Sequence, residues 1–186
     1  MYWKKSGEVN TGRTLEVASE RLKESGLKDV VIASNSGETV ERFVKMADDI
    51  TLNNTICVTH HVGFRDPGVD EMEDERREEL KDKGVEVLTT THALAGVARS
   101  IKNEYGGLYP AEIMAETLRM FGQGVKVCVE VSIMALDAGL VPYDREIIAI
   151  GGTGRGADTA CIVRPDHSNR VFSTEVLEVL CRPRGS

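Results

Sequence analysis

A chain of 186 residues with 41% apolar side chains is long enough to bury a core and fits a single domain. Its formal charge of −7 at pH 7, with no basic run to set against the acidic MEDERREEL segment, argues against a nucleic-acid surface. Lys126, Glu130 and Asp137 interrupt the most apolar stretch, VKVCVEVSIMALDAGLV, so no membrane span is expected. Cys57, Cys128, Cys161 and Cys181 form no CxxC pair, and MYWKKSGEVN lacks the apolar centre of a leader, which together predict reduced thiols and a cytoplasmic location.

In chain order, Leu15, Ala18 and Leu22 mark the first helical face, with Asn10 or Thr11 as its cap and Gly26 as a left-handed stop. DVVIAS, residues 29–34, is a short apolar run of the kind a parallel strand covered on both faces needs. A helix capped by Ser36 follows, its apolar face carried by Val40, Phe43, Val44 and Ala47. TICVT, residues 55–59, predicts a second strand ending in His60 and His61, and HVGFRDPG reads as a loop. The charged run 71–83 predicts a solvated helix stopped by Gly84, and residues 85–89 a third strand.

THALAGVARSIKNEYGG has helical character broken by glycines, and from Pro110 the spacing of Ile113, Met114, Thr117, Leu118 and Phe121 is helical. VKVCVEVSI alternates as a strand does, yet it runs without a breaker into MALDAG. Small residues Cys128, Ser132, Ala135 and Gly139 recur about once per turn. Residues 125–138 are therefore read as a buried helix, with Cys128 and Glu130 structural. Residues 146–150 and 159–163 predict strands four and five, joined tightly enough to form an antiparallel hairpin, and 176–181 a last strand. Short apolar strands alternating with helices predict an α/β fold, a three-layer α/β/α sandwich around a mostly parallel sheet, as one domain over residues 1–186.

Two stretches carry the chemistry. GGTGRGAD, within EIIAIGGTGRGADTACIVRP, lacks the lysine of a Walker loop and has neither the spacing nor the following helix of a dinucleotide fingerprint. Its glycines suit a hairpin turn and a binding loop alike. SNSGET, at the start of the second helix, places serine, threonine and backbone amides where a helix dipole favours an anion, although Ser36 could equally do no more than cap its own helix.

Taken together, VVIASNSGETVERFVKMA, TICVTHH and ALDAGLVPYDREIIAIGGTGRGADTACIVRP resemble the carboxy-terminal α/β domain of pyruvate kinases, and the whole chain is similar to small archaeal proteins made of that domain alone. The resemblance implies a sheet of order 3-2-1-4-5 with strand five antiparallel. SNSGET and GGTGRGAD then lie side by side at the carboxyl edge, where pyruvate kinases hold a phosphorylated effector. Carried onto matching positions, it implicates Ser34, Ser36, Gly37 and Thr39 for one phosphate, with Asn35 and Glu38 in the same binding turn. Gly151, Gly152, Thr153, Gly154, Arg155, Gly156 and Asp158 form the wall that closes over the ligand, with Asp158 placed to take a hydroxyl.

Glu38 departs from the family, which often has a basic or neutral residue there, and its carboxylate disfavours a second phosphate. A monophosphate with a hydroxylated or aromatic remainder is expected. The archaeal relatives point to flavin mononucleotide (FMN) as the cofactor. Thr59, His60, His61 and His92 end strands and are expected on the same rim, as ligand or loop contacts rather than as a metal site. Arg99 and Arg155 are candidate anion partners. The catalytic barrel of pyruvate kinase has no counterpart in this sequence, so that activity is not expected. An enzyme using His61 or His92 as acid/base in the same crevice, or a homo-oligomerisation module, are the alternatives.

Overall fold

The computed structural model describes residues 1–185. Seven strands form one sheet: β1 (Tyr2–Trp3), β2 (Asp29–Ala33), β3 (Asn54–Val58), β4 (Val85–Leu88), β5 (Ile147–Gly151), β6 (Thr159–Arg164) and β7 (Glu175–Pro183). Among the described residues six α-helices accompany them: α1 (Thr11–Ser25), α2 (Glu38–Met46), α3 (Asp74–Asp82), α4 (Gly96–Tyr105), α5 (Pro110–Arg119) and α6 (Gln123–Asp137). The spatial order is β1-β7-β6-β5-β2-β3-β4.

The five strands expected at the centre occur in the expected order, as β4-β3-β2-β5-β6, with β6 antiparallel to β5. The sheet extends beyond them through β7, antiparallel to β6, and through β1, parallel to β7. β1 has only two residues, too few to show a period, and it exists because Tyr2 and Trp3 find Arg182 and Pro183 as partners.

β2 lies at the centre because it is apolar on both faces. Val30 and Ile32 join a core formed with α1, α2 and α3 through Leu15, Leu22, Phe43 and Leu80, while Val31 joins a second core on the opposite face with Val125, Cys128 and Ala135 of α6. Burying each such side chain contributes about 1.5–3 kcal/mol, which fixes the strand's place between two layers. The alternation in VKVCVEVSI does not make a strand. α6 is helical and buried from Gly124 to Leu136 with the exception of half-buried Val127, because it is wedged between the sheet and α5. Gly26 ends α1 at φ 73 as its position predicts. Among the described residues, no helix is long and apolar enough to cross a membrane.

Candidate functional site

β2 and β5 run parallel side by side, with Val31 opposite Ala149 and Ile32 opposite Ile150, so the turn after β2 and the loop after β5 leave the sheet at the same edge. From β2 the chain proceeds to β3 and β4 on one side; from β5 it proceeds to β6 and β7 on the other. This is the reversal at which doubly wound sheets open a crevice.

The first wall is the turn Ser34–Gly37. Ser34 is buried and its Oγ accepts a hydrogen bond from Thr39 N at 3.2 Å. The cap expected from Ser36 is thus made by Ser34: Ser36 is exposed, and Gly37 holds the N-cap position at φ 76. A Cβ on Gly37 would stand 2.8 Å from Leu80 Cδ1 and 3.0 Å from Arg76 Nε, so α3 packs against the turn at a distance only glycine permits. α2 consequently presents its positive end at the edge, with Ser36 and Glu38 exposed beside it and Thr39 buried.

The second wall is the loop from Gly152 to Asp158, braced by the amino-terminal segment. Asp158 is fully buried and does not face the crevice, contrary to the role expected of it as a hydroxyl ligand. Its carboxylate accepts from Gly7 N at 2.7 Å and from the Thr159 hydroxyl at 2.8 Å, while its carbonyl accepts from Trp3 Nε1 at 2.7 Å. Thr11 Oγ1 accepts from Ala157 N at 3.0 Å. Gly156, at φ 67, would place a Cβ 2.3 Å from that same Thr11 oxygen. Gly151 is buried as the last residue of β5, Gly152, Thr153 and Gly156 are half-buried, and Gly154 and Arg155 are exposed at the loop's tip.

The third part is a cluster of rings at the ends of β3 and β4. His60 N donates to Asn35 Oδ1 at 2.9 Å, which orients the Asn35 amide so that its Nδ2 donates to His60 Nε2 at 3.1 Å. His60 Nε2 is therefore an acceptor, and Nδ1 donates to Glu71 Oε2 at 2.5 Å. Both nitrogens are committed, so His60 acts as a strut between loops. The ring stacks on Phe64 at 3.7 Å between centroids, and the His92 ring lies 5.4 Å from each of His60, His61 and Phe64. His61 Nδ1 donates to Val62 O at 2.7 Å, which leaves Nε2 as an acceptor. Thr59 is buried, its hydroxyl engaged with the His60 carbonyl and with the Thr89 hydroxyl at 2.6 Å. Among the described residues, no group of three or more His, Cys, Asp or Glu side chains is arranged to hold a metal ion.

Beneath His92 lies a buried ion pair, Lys126 with Glu130, whose second carboxylate oxygen accepts from Leu94 N at 2.8 Å. Burial pulls the pKa of His92 down to about 4, with His60 and Lys126 pushing the same way against Glu130, so its imidazole is neutral at pH 7. Arg99 does not join the crevice. It lines a separate cleft of about 460 Å³ between α4, α5 and α6, with Lys102, Glu112, Arg119 and Lys126.

Several participants carry no sequence signal. Gly7 and Thr11 act through partners distant in the chain, Phe64 and Glu71 act through His60, and Glu71 precedes the helix in which the charge run placed it. Arg42 of α2 lies against the first turn of α1, its Nη2 3.5 Å from where a Cβ on Gly12 would be. Lys126 and Glu130 had a legible sign, an i,i+4 pair of opposite charges inside an otherwise apolar run.

The sheet with helices on both faces, and the reversal at its carboxyl edge, define a three-layer doubly wound α/β domain. A family model described as pyruvate kinase, alpha/beta domain, matches residues 13–163, and the chain belongs to that family. Among solved structures, a pyruvate kinase from Cryptosporidium parvum is similar at 15% identity and a TM-score of 0.43, over 84% of this chain and 23% of that one. The chain thus spans less than a quarter of the length of that pyruvate kinase.

Proposed function

We propose that the crevice between the Ser34–Thr39 turn and the Gly152–Asp158 loop binds a phosphorylated small molecule, and that the ligand is FMN. The observation that carries this reading is the parallel pairing of β2 with β5, which sets the amino end of α2 beside the glycine loop. On this reading the phosphate rests on the first turn of α2, Arg42 and Arg155 supply positive charge, and Asp158 shapes the loop without touching the ligand. The ring cluster of His60, Phe64, His61 and His92 adjoins the phosphate turn through Asn35 and offers a flat aromatic system a stacking surface. Exposed Glu38 favours one phosphate over two. The domain then serves as a binding module rather than a pyruvate kinase, of the type similar to the archaeal single-domain proteins. With Cys57, Cys128, Cys161 and Cys181 all buried as free thiols, a cytoplasmic location accords with it.

Titration of the purified protein with FMN, followed by quenching of flavin fluorescence, tests the reading. Saturable binding is expected, weakened at least tenfold by Ser36→Asp, which adds a carboxylate at the phosphate position on an exposed side chain. Mass spectrometry of small molecules released on denaturation identifies any retained ligand. A protein that neither carries nor binds a phosphorylated compound sinks the proposal.

A second reading, an enzyme that uses the same crevice for flavin redox or phosphate-ester chemistry, is favoured by one observation. His92 is held neutral near pH 7 and, among the hydrogen bonds of the described residues, none engages its ring. The open ring nitrogens of such an imidazole can hydrogen-bond a bound substrate.

A further inference from the structure

We propose that the cleft between α4, α5 and α6 binds a small α-hydroxycarboxylic acid with an apolar side chain, at a site separate from the crevice at the carboxyl edge of the sheet. The cleft has a volume of about 460 Å³, within the range of small-molecule sites. On α4, Arg99 and Lys102 fall at i and i+3 on the face that lines it, while Val97, Ile101 and Tyr105 are exposed on another face. On α5, Glu112, Glu116 and Arg119 fall at i, i+4 and i+7 and line it from the other side. Lys126 of the buried helix α6 forms the floor.

Three of these four cations have a carboxylate of their own: Lys102 pairs with Glu112 at 2.6 Å, Arg119 with Glu116 at 2.6 Å, and Lys126 with Glu130. Arg99 has none. Among the described residues its guanidinium makes no hydrogen bond or ion pair, so the cleft carries one positive charge in excess although the chain's formal charge is −7. Two further groups in the same place are unmet. Lys126 is 6% exposed, yet among the described residues only Glu130 accepts from its three N–H groups, and a buried ammonium is costly unless its hydrogen bonds are made. Glu112 Oε1 accepts from Lys102, while its Oε2 is buried without a hydrogen-bond partner. The Lys102 hydrogen bond, with a smaller contribution from Arg99, holds the Glu112 carboxyl below its ordinary range, so it is an acceptor at pH 7.

These unmet groups define the ligand. A carboxylate accepts from the Arg99 guanidinium and from the free N–H groups of Lys126, and a hydroxyl on the neighbouring carbon donates to Glu112. The Lys102–Glu112 pair is half-exposed at the lysine and such pairs hold weakly, so the Glu112 carboxylate can turn to meet the hydroxyl. Charge selects among related compounds. A monoanion brings the cleft to neutrality, whereas a zwitterionic amino acid leaves the excess charge of Arg99 unmatched and a dicarboxylate exceeds it. Leu94, Ala95 and Ala115 offer an apolar wall to the rest of the molecule. The site shares neither the Ser34–Thr39 turn nor the Gly152–Asp158 loop, so it stands or falls independently of phosphate binding there.

Isothermal titration calorimetry of the wild-type chain with lactate and with leucic acid, the α-hydroxy analogue of leucine, tests the assignment. Saturable binding of both is expected, tighter for leucic acid. Isocaproate, which lacks the hydroxyl, and leucine, which carries an ammonium in its place, should each bind at least tenfold more weakly than leucic acid. Arg99→Gln should weaken leucic acid at least tenfold, and Glu112→Ala should abolish the preference over isocaproate. Arg13→Gln, at a half-buried arginine of α1 outside the cleft, should change neither. No binding of either hydroxy acid at millimolar concentrations, isocaproate binding as tightly as leucic acid, affinity that survives Arg99→Gln, or a hydroxyl preference that survives Glu112→Ala each overturns the proposal. Tighter binding of leucine would assign the cleft to a zwitterion and overturn it equally.

Discussion

His60 and Asn35 exchange two hydrogen bonds, 2.9 Å from the His60 amide to Asn35 Oδ1 and 3.1 Å from Asn35 Nδ2 to His60 Nε2. They link the turn after β2 to the loop after β3, and with them the α2 end of the crevice to its ring cluster. Asn35→Ala removes both bonds and is expected to lower unfolding free energy by about 1–2 kcal/mol, seen as a lower urea midpoint at constant slope. Asn35→Asp keeps the acceptor for the His60 amide and should cost less. Equal loss in both variants would refute this account of the pair.

Gly37 is expected to tolerate no side chain. Alanine there combines a left-handed backbone at φ 76 with a Cβ 2.8 Å from Leu80, which is fully buried and cannot retreat. A loss of about 2–4 kcal/mol is expected from the two effects together. Asparagine accepts the backbone angle but not the collision, so Gly37→Asn should rescue little. If asparagine restores wild-type melting, the contact with α3 is not what requires glycine.

Asp158→Ala leaves the half-buried Gly7 amide and the buried Thr159 hydroxyl without their acceptor, at about 1–3 kcal/mol for the hydroxyl and less for the amide, which water can reach. Because Trp3 is the chain's one tryptophan and its indole donates to the Asp158 carbonyl, fluorescence reports directly on this brace. The variant should show red-shifted Trp3 emission and faster proteolysis of the first ten residues, even under conditions where the sheet remains folded. An unchanged emission maximum would show that the brace does not depend on the carboxylate.

The depressed pKa of His92 sets a pH dependence with a definite sign. Between the ordinary value of 6.5 and about 4, the unfolded chain binds a proton that the folded protein does not, so this residue lowers stability as pH falls through that window. His92→Gln should flatten the stability profile between those limits while leaving the region below it unchanged. There Glu41 takes over: held at about 2 by Arg76, Lys83 and Lys45, it contributes stability that is lost as pH drops from 4.5 towards 2. Chemical denaturation at stepped pH separates the two, and a profile that remains sloped in the His92 variant would assign the effect to another group.

The elements themselves could be read from local patterns. DVVIA, TICV and IIAI are short apolar runs, and a strand buried on both faces requires little more. The helical continuation of VKVCVEVSI was legible through MALDAG and the spacing of its small residues, although its first half alternates like a strand. The caps were less legible, since Ser34 and Ser36 are chemically alike and only the left-handed turn at Gly37 decides which hydroxyl reaches Thr39 N. The charge run at 71–83 concealed two inward partners, because Glu71 meets His60 and Arg76 meets Glu41 only once α3 has docked.

By itself the sequence determined the alternation of strands and helices and the two glycine-bearing turns, because apolar period and backbone freedom are properties of neighbouring residues. Only the tertiary structure decided that the three histidines expected on one rim would pack ring against ring with Phe64, that Asp158 would turn inward onto Gly7, and that α4 would carry its apolar stripe outward. Those outcomes depend on strand order, register and helix docking. Such contacts join residues up to 151 positions apart, and no local pattern encodes them.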